Sequence, residues 1–400
     1  MAPIVQNSLM RRNLPLLLAA NGILAIQLPA LIATGGLAGA YLAPLSSLST
    51  LPLTMQMLGL LMGAVPLSLF MGRFGRKPGF LMGSCASMIG GGVATFALLS
   101  GSFWLLCFGH FLFGISASAV GLFRFAAADA ATERWKSTAL SLAMTMGLVA
   151  ALVAPQIVKA TRDVFEPIPF AGIYLAISVV GFLSALPTLF INLPIAKKAQ
   201  EVHEQRPPLR EILRRPAIST AIVGGVVSYG VMTLVMVPTP LAMAFCGFDV
   251  DPASEVIGWH VIAMFAPSFF TGILISRFGA PLIISLGMVL LTASCLTLYS
   301  GVELFHFYGG LILLGLGWNF GFVGASSYLN ANLKDNERPA MQGLNDTLVG
   351  LATVIASLVS GVALENLGWE NLVLLCLPLF AMCLLYIGAQ SLRQRPVNMV

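Results

Sequence analysis

The sequence predicts an all-α integral membrane protein with twelve transmembrane helices in two six-helix halves. Three observations carry this expectation. Of the 400 residues 58% are hydrophobic and only 9% are charged, whereas a soluble domain has roughly 25% charged residues. Runs long enough to cross a hydrocarbon core, which takes about 20 helical residues, recur twelve times. The 21 basic residues are sorted by the loops that those runs define.

The runs cover residues 14–38, 48–71, 79–100, 103–127, 138–159, 170–192, 216–241, 255–276, 280–300, 305–329, 340–363 and 370–391. The first follows Arg11-Arg12 in the manner of a secretory signal, but its apolar character outlasts an h-region, so it reads as an uncleaved helix. With both termini in the cytoplasm, 19 basic residues fall inside and only Lys159 and Arg162 fall outside. That is the bias the positive-inside rule demands, and one missed helix would scramble it. The longest polar stretch holds six of those basic residues and Pro207-Pro208. It divides the chain into an N-terminal half, 1–191, a cytoplasmic linker, 192–216, and a C-terminal half, 217–400.

This composition excludes a soluble globular protein and leaves no basis for binding nucleic acid; the surface partner it implies is membrane lipid. The six cysteines form no CxxC pair and read as no disulfide framework. There is no Walker A loop, HExxH or GxSxG motif on a credible scaffold, so an enzyme is not expected and ATP hydrolysis is not the driving force. No cofactor is implied, and a monomer is expected.

The halves repeat weakly. Ser68 to Lys77 follows the second run and Gly272 to Gly279 follows the eighth, at an offset of 204 residues that Arg134 and Arg338 share. Two parallel six-helix repeats joined by a cytoplasmic linker are the layout of a rocker-switch transporter. Arg73, Gly75, Arg76 and Lys77 resemble the cytoplasmic gate motif Gly-x-Leu-x-Asp-Arg-x-Gly-Arg-Lys of the major facilitator superfamily. Ser68 stands at the motif's glycine and Gly72 at its acidic position, so the usual charge relay lacks its carboxylate. The resemblance implies the major facilitator fold.

Polar and soft side chains inside the runs are candidate functional groups, because they are costly in hydrocarbon. Met232 and Met236 are four residues apart in run seven, and His260 and Met264 are four apart in run eight. Each pair shares a helix face about one turn apart. Thioether and imidazole donors without carboxylates suit Cu(I). Core packing is the other reading, since 18 methionines produce roughly one MxxxM by chance counting. Cys246, at the outer end of run seven, is a candidate metal entry point or an inert thiol. Asp346 in run eleven is a candidate proton carrier or a helix-packing hydrogen bond. Gln56, Tyr229, Trp318 and Asn319 are candidate cavity-lining residues, with Asn21 and Gln27 beside them, and His110 reads as a core histidine.

The pair Met232-Thr-Leu-Val-Met236 and His260-Val-Ile-Ala-Met264 resembles the MxxxM and HxxxM motifs of the CcoA-like copper importers, a branch of the same superfamily. The resemblance implies a bacterial inner-membrane protein that takes a copper ion as transported substrate. It would pass copper to cytoplasmic acceptors for assembly of cbb3-type cytochrome oxidase. Other members of that branch are similar to riboflavin transporters, which makes import of riboflavin or another organic solute the alternative, with drug efflux third.

Overall fold

The computed structural model describes residues 3–132, 135–193, 208–334 and 336–394. Arg134, Arg395 and most of the expected linker, with Lys197, Lys198 and Arg206, lie outside the described residues. The described chain is helical almost throughout. Its first helices are α1 (Pro3–Ala25), α2 (Gln27–Leu42), α3 (Leu51–Phe74), α4 (Arg76–Ser100), α5 (Phe103–Ala130), α6 (Lys136–Thr161) and α7 (Ala171–Leu189). The short α8 (Leu209–Leu213) precedes α9 (Pro216–Met236), α10 (Thr239–Phe245), α11 (Val250–Phe265) and α12 (Ser268–Phe278). Then come α13 (Ala280–Tyr299), α14 (Leu304–Trp318), α15 (Gly324–Ala331), α16 (Arg338–Leu375) and α17 (Leu377–Gln394).

Ten continuous stretches among the described residues are long and apolar enough to cross a membrane. The bent pair α11 and α12 makes an eleventh. One of the ten, Arg338–Gln390, is 53 residues long, about 80 Å of helix at 1.5 Å per residue, which is far more than one span needs. Gly368, at φ 76°, interrupts it and turns it into two spans. The described residues thus form twelve spans.

Three runs are less regular than their composition suggests. Run seven stops at Met236 and resumes as α10, because Pro238 and Pro240 cannot donate to the preceding turn. Run eight breaks by 40° at Pro267. Run ten contains a π-turn, Asn319–Val323, between α14 and α15. By contrast, Gly75 and Gly279 end corresponding helices of the two repeats at φ 93° and 84°, a conformation that favours glycine.

The residues cluster into two compact units: Met1–Ala199 with Val237–Ile262, and Gln200–Met236 with Ala263–Val400. In the first unit, α5 packs along α3 and α4, and α4 packs on α7. The α3–α5 contact depends on missing side chains. A Cβ on Gly59 would lie 2.1 Å from the Phe111 carbonyl oxygen, and one on Gly114 would lie 2.0 Å from that of Gln56. Small residues allow this approach, which dispersion rewards where lipid supplies no hydrophobic drive between helices. Beside it lies a buried polar group: His110 Nδ1 is 3.1 Å from Gln56 Oε1, and its Nε2 is 2.7 Å from the Tyr174 hydroxyl. His110 is thus the satisfied core histidine expected, and Gln56 is buried against it.

The backbone approach gives a direct test. Gly114→Ala should destabilise the protein by about 1–3 kcal/mol through overpacking, seen as a lower melting temperature in detergent. Gly121→Ala, on the same helix with nothing within 4 Å of its added methyl, should be neutral or slightly stabilising.

Candidate functional site

In the second unit, the end of α14, the π-turn and the facing part of α9 gather an aromatic cluster. Trp318 and Phe322 stack with ring centroids 5.2 Å apart and planes 20° apart. The Tyr229 ring on α9 meets both edge-on, at 5.4 Å from Trp318 and 5.1 Å from Phe322. Phe265, the last residue of α11, meets Trp318 edge-on at 6.0 Å. Trp318 is buried, whereas Tyr229, Phe265 and Phe322 keep part of their surface open. The Trp318 indole Nε1 is buried without a hydrogen-bond partner among the described residues. An indole N–H left without a partner beside partly open aromatic rings is a donor that a ligand carbonyl can accept from. The elements that carry Tyr229, Trp318 and Phe322 contain no Asp, Glu, Lys or Arg. The groups gathered here are three partly open aromatic rings and one buried indole donor.

Asn319 takes a different role from the cavity lining expected of it. It is fully buried, and its carboxamide is engaged within the protein: Nδ2 donates to the Met264 carbonyl at 2.6 Å and to Ser268 Oγ at 2.7 Å, and Oδ1 accepts from Thr271 Oγ1 at 2.6 Å. Asn21 and Gln27 likewise serve packing, donating to the Ala143 carbonyl and to Ser116 Oγ.

Met232, Met236, His260 and Met264 are all buried, at 1, 3, 0 and 7% exposure. The three methionines belong to the second unit and His260 to the first. Cys246 is a free, exposed thiol just past α10. Asp346 stands on the exposed side of α16 rather than in the buried setting its apolar run suggested, and it accepts from Asn345 Nδ2 at 3.2 Å.

At the turn between α3 and α4, Arg73 closes α3, Gly75 makes the turn and Arg76 pairs with Asp129 at the end of α5. Arg76 thus meets a carboxylate from another helix, although the motif's acidic position is Gly72. Lys77 donates to the Leu189 carbonyl at 2.5 Å, and so complements the C-terminus of α7. In the second unit, Arg215 forks onto Glu337 at 2.8 and 2.7 Å, and the Lys334 N–H adds a third donor at 3.1 Å. Glu337 is completely buried. Sequence reading missed Phe265, Phe322, Asp129 and Glu337. The signals it had were weak: Phe322 four residues after Trp318, and the repeat of Glu133-Arg134 as Glu337-Arg338.

With this geometry in view, similarity to known proteins decides the family. The chain is 42% identical over 376 residues to the riboflavin transporter RfnT of Brucella anthropi, covering 94% of each protein. The chain belongs to the major facilitator superfamily. Residues 223–398 match the family described as Major Facilitator Superfamily, and 33–123 match the Sugar (and other) transporter family. An uncharacterized MFS-type transporter of Bacillus subtilis, YdeG, is 29% identical over 72% of this chain and 71% of its own length. In fold, the chain is similar to a bacterial homolog of the human lysosomal transporter Spinster, with a TM-score of 0.74, 11% identity and coverage of 96 and 98%. These relatives make it a multi-pass membrane transporter rather than an enzyme.

The same similarity overturns the expectation of copper import and of delivery to cytoplasmic copper acceptors, because the extensive match is to a riboflavin transporter. The physical reason is that MxxxM and HxxxM spacing establishes only a shared helix face. Buried methionines on one face are equally what close packing with a flexible thioether produces.

The Arg215–Glu337 pair yields a pH prediction. Hydrogen bonding from Arg215 is the main cause holding the Glu337 carboxyl below the ordinary carboxylate range. A depressed folded-state pKa stabilises the protein above the unfolded-state value and is lost as pH falls through the folded one. Glu337→Gln should therefore lower stability at neutral pH by on the order of 1–3 kcal/mol. In melting curves, the gap from wild type should narrow on acidification below about pH 4.

Proposed function

We propose that this protein is a secondary transporter that carries riboflavin, or a flavin of the same size and charge, across the bacterial inner membrane by alternating access, with both termini in the cytoplasm. The aromatic cluster around Trp318 is the observation that carries this reading. An isoalloxazine ring is planar and uncharged and bears carbonyl acceptors. Tyr229, Phe265 and Phe322 offer it partly open aromatic surface, and the Trp318 indole offers a buried donor. The 42% identity with RfnT supports the same choice of substrate. The 19-to-2 partition of basic residues supports the orientation.

Uptake of radiolabelled riboflavin by an auxotrophic strain lacking its own importer tests the proposal. Wild type should restore uptake. Trp318→Ala should weaken apparent affinity about tenfold, or ~1.4 kcal/mol, while Trp104→Phe, at an exposed position of α5, should not. Excess flavin mononucleotide should compete poorly, because the cluster offers no cation for a phosphate. Wild-type uptake by well-expressed Trp318→Ala and Tyr229→Ala variants would remove the cluster from the transport path. Reporters fused at residue 200 and beside Asp249 should read cytoplasmic and periplasmic, respectively.

A further inference from the structure

The break in span eight and the π-turn in span ten are joined by one side chain. A helix interrupted at proline leaves carbonyls of its last turn without their usual amide partners, and in a membrane these must be met from within the protein. Asn319 meets one of them: its Nδ2 reaches the Met264 carbonyl at 2.6 Å, on the near side of the break. The same nitrogen reaches Ser268 Oγ at 2.7 Å on the far side. The Thr271 hydroxyl, one turn further on, lies 2.6 Å from Asn319 Oδ1 and 2.8 Å from the Pro267 carbonyl, between which it shares its single proton. The amide NH2 has to face the Met264 carbonyl, so the orientation of the carboxamide is set.

The opposite side of the π-turn has no room to shift. A Cβ on Gly321 would lie 2.1 Å from Ser228 Oγ on α9, and one on Gly287 of α13 would lie 2.4 Å from the Gly321 nitrogen. The adjustable attachment of the π-turn is therefore the polar clip toward α11 and α12. That clip is one residue from a ring on each side, since Trp318 precedes Asn319 and Phe265 follows Met264, and these two rings meet at 6.0 Å.

We propose that Asn319 is a positioning residue for the aromatic site: by tying both sides of the span-eight break to the π-turn, it sets the spacing and angle of Phe265 and Trp318 and thereby the affinity for the flavin ring. This rests on the flavin reading of the cluster. Asn319 touches no substrate; it acts through the two rings.

The test uses purified full-length protein in detergent and in proteoliposomes, with riboflavin as the probe. Binding is read from quenching of flavin fluorescence, and transport is resolved into KM and kcat. Asn319→Leu removes all three hydrogen bonds, and Asn319→Asp keeps the shape but turns an acceptor toward the Met264 carbonyl. Both should raise KM and Kd for riboflavin about tenfold with kcat changed less than twofold. Thr271→Val should raise them two- to threefold, and Thr271→Ser, which keeps the hydroxyl, should match wild type. The valine–serine pair decides the matter if the Asn319 variants do not fold. Unchanged KM and Kd in folded Asn319 variants, or a fall in kcat alone, would overturn the positioning role while Trp318→Ala still loses binding. Undiminished binding by Trp318→Ala would instead remove the flavin site on which the proposal stands.

Discussion

Hydrocarbon offers no partner for a backbone N–H or C=O, and every part of this protein that crosses the membrane answers to that constraint. Regular helix satisfies it for most of the chain. Where the helix fails, at Pro267 and at the π-turn Asn319–Val323, a buried side chain takes over: the Asn319 carboxamide meets the Met264 carbonyl and grips Ser268 beyond the break. The aromatic cluster stands at this repaired irregularity. The association has a physical basis, since π-turns insert a residue and re-aim their neighbours, and they recur at functional sites.

Packing by absence of side chains is the complementary device. Gly59 and Gly114 let α3 and α5 touch backbone to backbone. In the second unit, Gly287 and Gly321 do the same behind the π-turn. One face of that turn is thereby held close to α9 and α13.

Most ion pairs among the described residues stand near the ends of helices, where water or an opposite charge is within reach. Arg76 with Asp129 and Arg215 with Glu337 tie turns to neighbouring helices. At the other end of α6, Arg162 lies 3.1 Å from Asp163 and 3.0 Å from both Asp249 and Asp251. The elements that carry Tyr229, Trp318 and Phe322 contain no Asp, Glu, Lys or Arg.

Composition and the sorting of basic residues determined the membrane class and the twelve spans, because a bilayer imposes length and charge rules that are written locally along a chain. Tyr229, Trp318 and Asn319 were also legible as polar or aromatic exceptions inside apolar runs. Their division of labour was not: Asn319 became a clip between helices, while Trp318 kept an unmet donor. Likewise Asp129 and Glu337 become meaningful only beside Arg76 and Arg215, 53 and 122 residues away. The methionine and histidine spacing pointed to copper for the same reason that it failed to establish it. Spacing along one helix determines which side chains share a face, but only tertiary packing decides what that face meets, and with it whether the residues bind a ligand or fill a core.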